Sequence, residues 1–218
     1  MRVTWLGPLL LAGLVAAKEP DVAAHPEVWP RLRRPRPGQW LDLYPEKGQT
    51  FAEYRSAASV RPTRTRHRIY VLPMLTRPPA DPQTPDRVRA LLEVFLGRPA
   101  RLMPPVPLPR KAYDRRRRQV SVTPLARELY PHLPADAFLM LVLTDRDLYS
   151  PGLHHLFGWA ADRLRIAIVS TYRTDRGGDP LVRRRRILAL AAHEAGHVLA
   201  MPHCTFYACL MNGAAHQR

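Results

Sequence analysis

Cysteine and lysine are scarce in this sequence. Of 218 residues, two are cysteines, Cys204 and Cys209, and three are lysines, Lys18, Lys47 and Lys111. So few thiols permit one disulfide or half of a metal site, and the spacing alone leaves both open. The shortage of lysine means that nearly all of the +16 net charge is arginine. Abundant arginine, alanine and proline (24 of the last) suggest a GC-rich genome, so the basic balance reads first as composition and solvated surface. A sharper reading is an Arg-rich binder of anionic surfaces, drawn to nucleic acid, membrane or acidic substrate. The runs Arg115–Arg118 and Arg183–Arg186 motivate it, but no aromatic residues are interleaved with them and no nucleic-acid motif appears. Nucleic acid is therefore disfavoured as a partner. Beyond the first residues no apolar run is long enough to cross a bilayer, so no further membrane span is expected. Internal repeats are absent, and the length suits one domain of ordinary size.

The start, "MRVTWLGPLLLAGLVAAKEP", has the pattern of a secretory signal: Arg2, a short apolar run from Trp5 to Ala17, and small residues Val15-Ala16-Ala17 at a cleavage site. No cysteine follows it, which disfavours a lipoprotein. The chain then divides into a signal peptide over 1–17, a Pro/Arg-rich arm over 18–66 and a catalytic domain over 67–218. The protein is exported, periplasmic or secreted, if the signal is real, and cytoplasmic otherwise. The arm is expected to be extended, with one helical turn near Thr50–Ser56. Trp40, Leu43, Tyr44, Phe51 and Tyr54 give it enough apolar surface to pack onto a domain.

From Arg68 the pattern alternates. "RIYVLPM" predicts a first strand. "TPDRVRALLEVFLG" predicts a helix with Thr84 as N-cap, Pro85 at its first position and Gly97 as C-cap. Residues 98–112 read as a proline-rich connection, "RQVSVT" as a strand and "TPLARELYPHL" as another Thr-Pro helix start. "AFLMLVLTD" has the continuous apolar character of a central strand. Two extended segments follow, the second at Arg165–Tyr172. Asp179 as N-cap and Pro180 then open a long helix to about Ala200. Strands alternating with helices predict an α/β fold on a mixed sheet.

The chemistry lies in "LALAAHEAGHVLAMPHC", residues 188–204. His193 and His197 are four apart, so a helix brings both onto one face, one turn apart. With Glu194 they form H-E-x-x-H, in which two histidines bind zinc and the glutamate serves as general base. From Ile187 to Met201 the polar side chains are His193, Glu194 and His197 and no others, unlike a solvated surface helix. Catalytic zinc usually has three protein ligands and an open position. No Asp or Glu follows Glu194, which leaves His203 as the third ligand, ahead of His216 near the terminus and Cys204, whose thiolate would weaken the zinc as a Lewis acid. The spacing His193, His197, His203 is that of the metzincins, with Ala200 where those have glycine. Glycine serves where the chain leaves the helix sharply with a positive φ, and alanine there costs ~1 kcal/mol.

"HEAGHVLAMPHCTFYACLMNG" resembles the archaemetzincins, whose pattern is HExxHxxGxxHC-x4-C-x-M. His193, Glu194, His197, His203, Cys204, Cys209 and Met211 fall on that pattern, and Ala200 departs from it. Weaker similarity runs through "GQTFAEY", "LTDRDLY", "FGWAA" and "IAIVSTYR", so the resemblance spans residues 38–213. It implies a metzincin-like zincin fold, a mixed β-sheet with a long active-site helix carrying HExxH. It also implies a zinc metallopeptidase acting on peptide or protein, with three histidine ligands, Glu194 as base and Met211 in a turn beneath the metal. The family has a second, structural zinc on four cysteines, of which Cys204 and Cys209 match two. The expectation is that the chain continues beyond Arg218 to a second cysteine pair, or that the second zinc is lost. In the latter case Cys204 and Cys209 form a disulfide, or a partial site with His216. Extended residues near Leu156–Ala160 are a candidate edge strand for substrate, a plain hairpin being the alternative. Tyr207 is near enough in sequence to face the site, or only packs. Ala200 and the unmatched cysteine pair motivate a rival reading, a catalytically weak or inactive zinc-stabilised binding protein.

Overall fold

The computed structural model describes residues 30–57, 60–174 and 178–214. The signal-peptide expectation and His216 lie outside these residues. The N-terminal arm carries two short helices, α1 (Trp40–Leu43) and α2 (Phe51–Ala57). The second replaces the single turn expected near Thr50–Ser56. It begins with a reciprocal cap: the Glu53 N–H donates to Thr50 Oγ1 (3.2 Å), and Thr50 N–H donates to Glu53 Oε2 (2.7 Å).

A five-stranded mixed sheet forms the centre. Its strands are β1 (Arg68–Met74), β2 (Ala100–Leu102), β5 (Ala137–Thr144), β8 (Gly158–Ala161) and β9 (Ile166–Ser170), in the order β2-β1-β5-β9-β8. All neighbours are parallel except β8, which runs antiparallel to β9 and forms an edge. A second, four-stranded sheet joins β3 (Tyr113–Asp114), β4 (Gln119–Ser121), β6 (Leu148–Ser150) and β7 (Leu153–Leu156) in the order β3-β4-β6-β7. Strand β5 is buried along its whole length, as its unbroken apolar run predicts for a central strand.

Side chains alternate across the main sheet into two cores. Ile69, Val71, Leu139, Leu141, Leu143 and Val169 face α3 (Thr84–Leu96) and α5 (Pro180–Val198). On the other face, Tyr70, Leu72, Met140, Val142 and Ile168 meet α4 (Val122–Leu129) and Leu148 of β6. Helix α5 buries Ile187, Ala191, Ala195 and Val198 against the sheet, and this sets its rotation and hence where its histidines lie. Asp179 caps α5 as expected, accepting from Leu181 N–H at 2.8 Å.

Several sequence expectations shift. Thr84 is the first residue of α3 rather than its cap, because its hydroxyl turns back to donate to the Asp81 carbonyl (2.7 Å). Gly97 ends that helix in the left-handed region at φ 59°, as predicted. Helix α4 starts at Val122, so the strand expected through Thr123 stops at Ser121. The proline-rich connection over 98–112 hides β2, a short edge strand whose register with β1 pairs Ile69 with Ala100. The run Arg115–Arg118 is the turn between β3 and β4. Asp114 Oδ1 accepts the Arg116 and Arg117 N–H groups there, and the Arg117 guanidinium lies over the Tyr149 ring at 4.4 Å. No helix among the described residues is long and apolar enough to cross a membrane.

Asp147, 8% exposed at its side chain, joins the two sheets. It accepts two hydrogen bonds from Arg173 (2.8 and 2.7 Å) and one from Gln119 (2.9 Å). Asp147→Ala would leave the Gln119 amide and the Arg173 guanidinium without their acceptor. It is expected to lower unfolding stability by about 2–3 kcal/mol, less than a fully buried pair because Arg173 stays partly solvated. Urea denaturation measures this.

Candidate metal centre

Helix α5 needs no special chemistry up to His193. From there it carries polar groups into an apolar setting. His193 and His197 stack one turn apart, with ring centroids separated by 4.6 Å. The helix ends at Val198, and Ala200 turns the chain away with φ 65°. This is the left-handed conformation for which glycine was expected. The turn delivers His203, whose ring centroid is 5.4 Å from that of His193 and 4.8 Å from that of His197. One ring nitrogen from each histidine lies within 4.8 Å of the other two. The sequence-predicted triad is thus brought together.

Hydrogen bonds fix the tautomers. The Nδ1–H of His193 donates to the Leu210 carbonyl (2.8 Å) and that of His197 to the Met201 carbonyl (2.7 Å). A carbonyl only accepts, so each Nδ1 holds the proton and each Nε2 of the neutral ring is a bare lone pair. Those two Nε2 atoms face each other at 3.0 Å. Lone pairs at that distance repel unless a cation lies between or beside them. His203 is held the same way, its Nδ1–H donating to Glu46 Oε1 at 2.8 Å. Three such nitrogens suit zinc, whose tetrahedral bonds of about 2.0–2.1 Å separate ligand nitrogens by roughly 3.3 Å. Burial lowers the pKa of His193 and takes that of His197 down to about 4, which keeps both rings neutral and available as ligands.

Glu194 lines the same cleft as the three histidines. It is 4% exposed and its Oε2 has no hydrogen-bond partner. Burial alone pushes its pKa up to about 8. It fits because residue 158 is glycine: a Cβ there would lie 2.6 Å from Glu194 Cδ and Cγ. Gly158 begins β8, so the edge strand and the carboxylate are in contact. Beneath the site, Met211 packs on Gly196, where a Cβ would come 2.5 Å from the Met211 sulfur. A cleft of about 1220 Å³ opens above, lined by His193, Glu194, His197, His203 and the extended residues Leu156–Ala160. Tyr207 does not line it. Instead, Tyr207 pairs with Arg31 of the arm, whose guanidinium lies 5.9 Å from its ring centroid.

Cys204 and Cys209 lie in the loop after α5 as free, partly buried thiols, and burial, with Cys204 close by, pushes the Cys209 thiol up to about 11. Asn212 ties this loop internally, donating to the Cys204 and Tyr207 carbonyls (2.9 Å each) and accepting from Cys209 N–H (2.8 Å).

Comparison with known proteins follows the same residues. The model of Peptidase family M54 matches residues 132–217. The archaemetzincin of Aeropyrum pernix is 32% identical, over 55% of this chain and 72% of its own length. That of Methanopyrus kandleri is 33% identical, over 58% and 71%. The chain belongs to the archaemetzincin family. Membership places it among the zinc metallopeptidases. Coverage of other relatives is lower, 57% of the Pyrococcus abyssi archaemetzincin at 37% identity. Crystal structures agree: the Methanopyrus kandleri archaemetzincin superposes with a TM-score of 0.61 at 28% identity, covering 71% of this chain and 84% of that one. The Archaeoglobus fulgidus archaemetzincin, complexed with malonate, gives 0.59 at 27% identity, covering 68% and 87%.

Two groups near the site were missed by sequence reasoning. Glu46 lies 157 positions upstream of His203, too far for any local pattern to connect them. Its one signal was a place just before "GQTFAEY", the segment of the arm that resembles the family. Gly158 carried a signal only as part of "FGWAA".

Two outcomes follow. Ala200→Gly should remove backbone strain and raise stability by about 0.5–1 kcal/mol, read from chemical denaturation. In metal-free protein, Glu194 keeps its proton to higher pH when folded than when unfolded. Stability from this group is therefore present below the unfolded carboxylate value and lost as pH rises toward about 8. Thermal midpoints of metal-free protein should fall between pH 5 and 8 more steeply than those of Glu194→Gln.

Proposed function

We propose that this chain hydrolyses peptide bonds with one zinc ion held by His193, His197 and His203 and with Glu194 as general base. The facing Nε2 atoms of His193 and His197, each with its proton committed at Nδ1, carry this reading. Zinc bound there supplies Lewis acidity, which makes water acidic enough to lose a proton near pH ~7 and polarises a carbonyl. The protein's residues do the rest. Glu194, buried beside Gly158 with Oε2 unpaired, takes the proton of the attacking water and passes it to the departing amine. The positive charge beside it favours the ionised form that its burial opposes. Peptide substrate is held extended along the free edge of β8, where main-chain hydrogen bonds position it without demanding one sequence. Strand β8 is one arm of a hairpin with β9, and its place at the end of the sheet supports the edge-strand reading over a plain hairpin.

The rival reading is a zinc-stabilised binding protein with weak turnover, favoured by the strained alanine at position 200. One pair of measurements separates the two. Wild-type protein should contain zinc and cleave members of a broad peptide library, with chelator abolishing the activity. Glu194→Gln should keep its zinc and lose about 10²–10⁴-fold in kcat/KM. Equal turnover by wild type and variant, with zinc in both, would reject Glu194 as the base and support the binding protein.

A further inference from the structure

The arm wraps the loop that delivers His203. Leu32 N–H donates to the Phe206 carbonyl (3.0 Å) and Ala208 N–H to the Pro30 carbonyl (2.7 Å), on either side of the Arg31–Tyr207 bridge. Further along, Trp40 meets His203 edge-on at 5.1 Å, and a Cβ on Gly213 would collide with its indole. Gly48 lies against Thr205 in the same way. At the centre of this contact is Glu46, whose Oε1 accepts from His203 Nδ1 (2.8 Å) and from Trp40 Nε1 (2.5 Å). Its side chain is 26% exposed and that of His203 16%.

We infer that Glu46 is the positioning residue of the metal centre: its carboxylate fixes the tautomer and orientation of His203 and couples the third ligand to the N-terminal arm. The inference rests on the three-histidine zinc site proposed above. The other two histidines donate Nδ1–H to main-chain carbonyls of the loop 201–210, which the fold supplies whatever the side chains. His203 alone depends on a side chain, and one from a distant part of the sequence. A carboxylate is also the stronger acceptor, and a negative charge behind the imidazole raises its basicity as a ligand. Trp40 holds the carboxylate from the other side, so Glu46 cannot rotate away without breaking a second hydrogen bond. Glu46 does not line the cleft, and of the three histidines it hydrogen-bonds His203 alone, although its negative charge also reaches His193 and His197.

Zinc affinity, measured on the full chain by competition with a chromophoric chelator, tests this apart from activity. Glu46→Ala should weaken zinc binding about 10–100-fold. Glu46→Gln keeps a neutral acceptor at the same place and should recover most of the loss. Trp40→Phe removes the other hydrogen bond to Glu46 and disturbs the arm comparably, yet should bind zinc within about threefold of wild type. His203→Ala serves as the reference for a lost third ligand. Wild-type affinity in Glu46→Ala beside a zinc-deficient His203→Ala would overturn the role of Glu46 and leave the histidine site standing. Equal losses in Glu46→Ala and Trp40→Phe would also overturn it, by showing a merely structural role. Wild-type affinity in both Glu46→Ala and His203→Ala would remove the site itself and the inference with it.

Discussion

Three imidazoles with their Nδ1 protons committed elsewhere turn bare nitrogens toward one another, and much of the surrounding structure serves to hold them there. Left without a cation, His193 and His197 would separate their 3.0 Å contact by rotating. The Leu210 and Met201 carbonyls oppose that rotation. Both carbonyls belong to the loop after α5, so the loop's path, rather than the helix alone, sets where the two rings point. The helix contributes spacing, and the apolar residues Ala191, Ala195 and Val198 on its buried side contribute rotation.

That loop contains no regular structure and has to be held by other means. Asn212 bonds three main-chain groups within it, Met211 fills the space over Gly196, and the arm covers its outer side. Ala200 shows how firmly the path is determined. A non-glycine residue at φ 65° costs ~1 kcal/mol, and the fold keeps the turn regardless. The strain is local and sits between His197 and His203, where a change of path would take His203 away from the other two rings.

What could be read beforehand, and what could not, follows from how far each interaction reaches along the chain. The H-E-x-x-H pair was legible because four-residue spacing on a helix is a local property. The cap at Asp179, the left-handed Gly97 and the central strand β5 were legible for the same reason. His203 required elimination of competing ligands, but its distance from His197 is still short. Glu46 was not legible: it is separated from His203 by 157 positions, and its place just before "GQTFAEY" does not mark it as a hydrogen-bond acceptor for a histidine. Strand β2 was missed because three residues are too few to show a period, and the start of α4 was displaced because Val122 suits a strand as well as a helix. Of the arm's aromatic and aliphatic residues, Trp40 packs as expected, whereas Phe51 and Leu43 remain 56% and 52% exposed.

Charge balance connects these parts. Glu194 is buried among apolar groups, with its pKa pushed up to about 8 and one oxygen unpaired. In isolation that is an unfavourable place for an ionised carboxylate near neutrality. The histidines have the opposite difficulty: their neutral rings leave unshared lone pairs in contact. A divalent cation at the triad relieves both, because it takes up the lone pairs and favours ionised Glu194. Two carboxylates, Glu194 on the reactive side and Glu46 behind His203, then balance the two positive charges of such a cation. Such a set is close to neutral, so the apolar surroundings that penalise each group alone do not penalise the assembled centre. The arm belongs to that balance. Through Glu46 it brings a negative charge to the loop after α5, which has no acidic residue of its own.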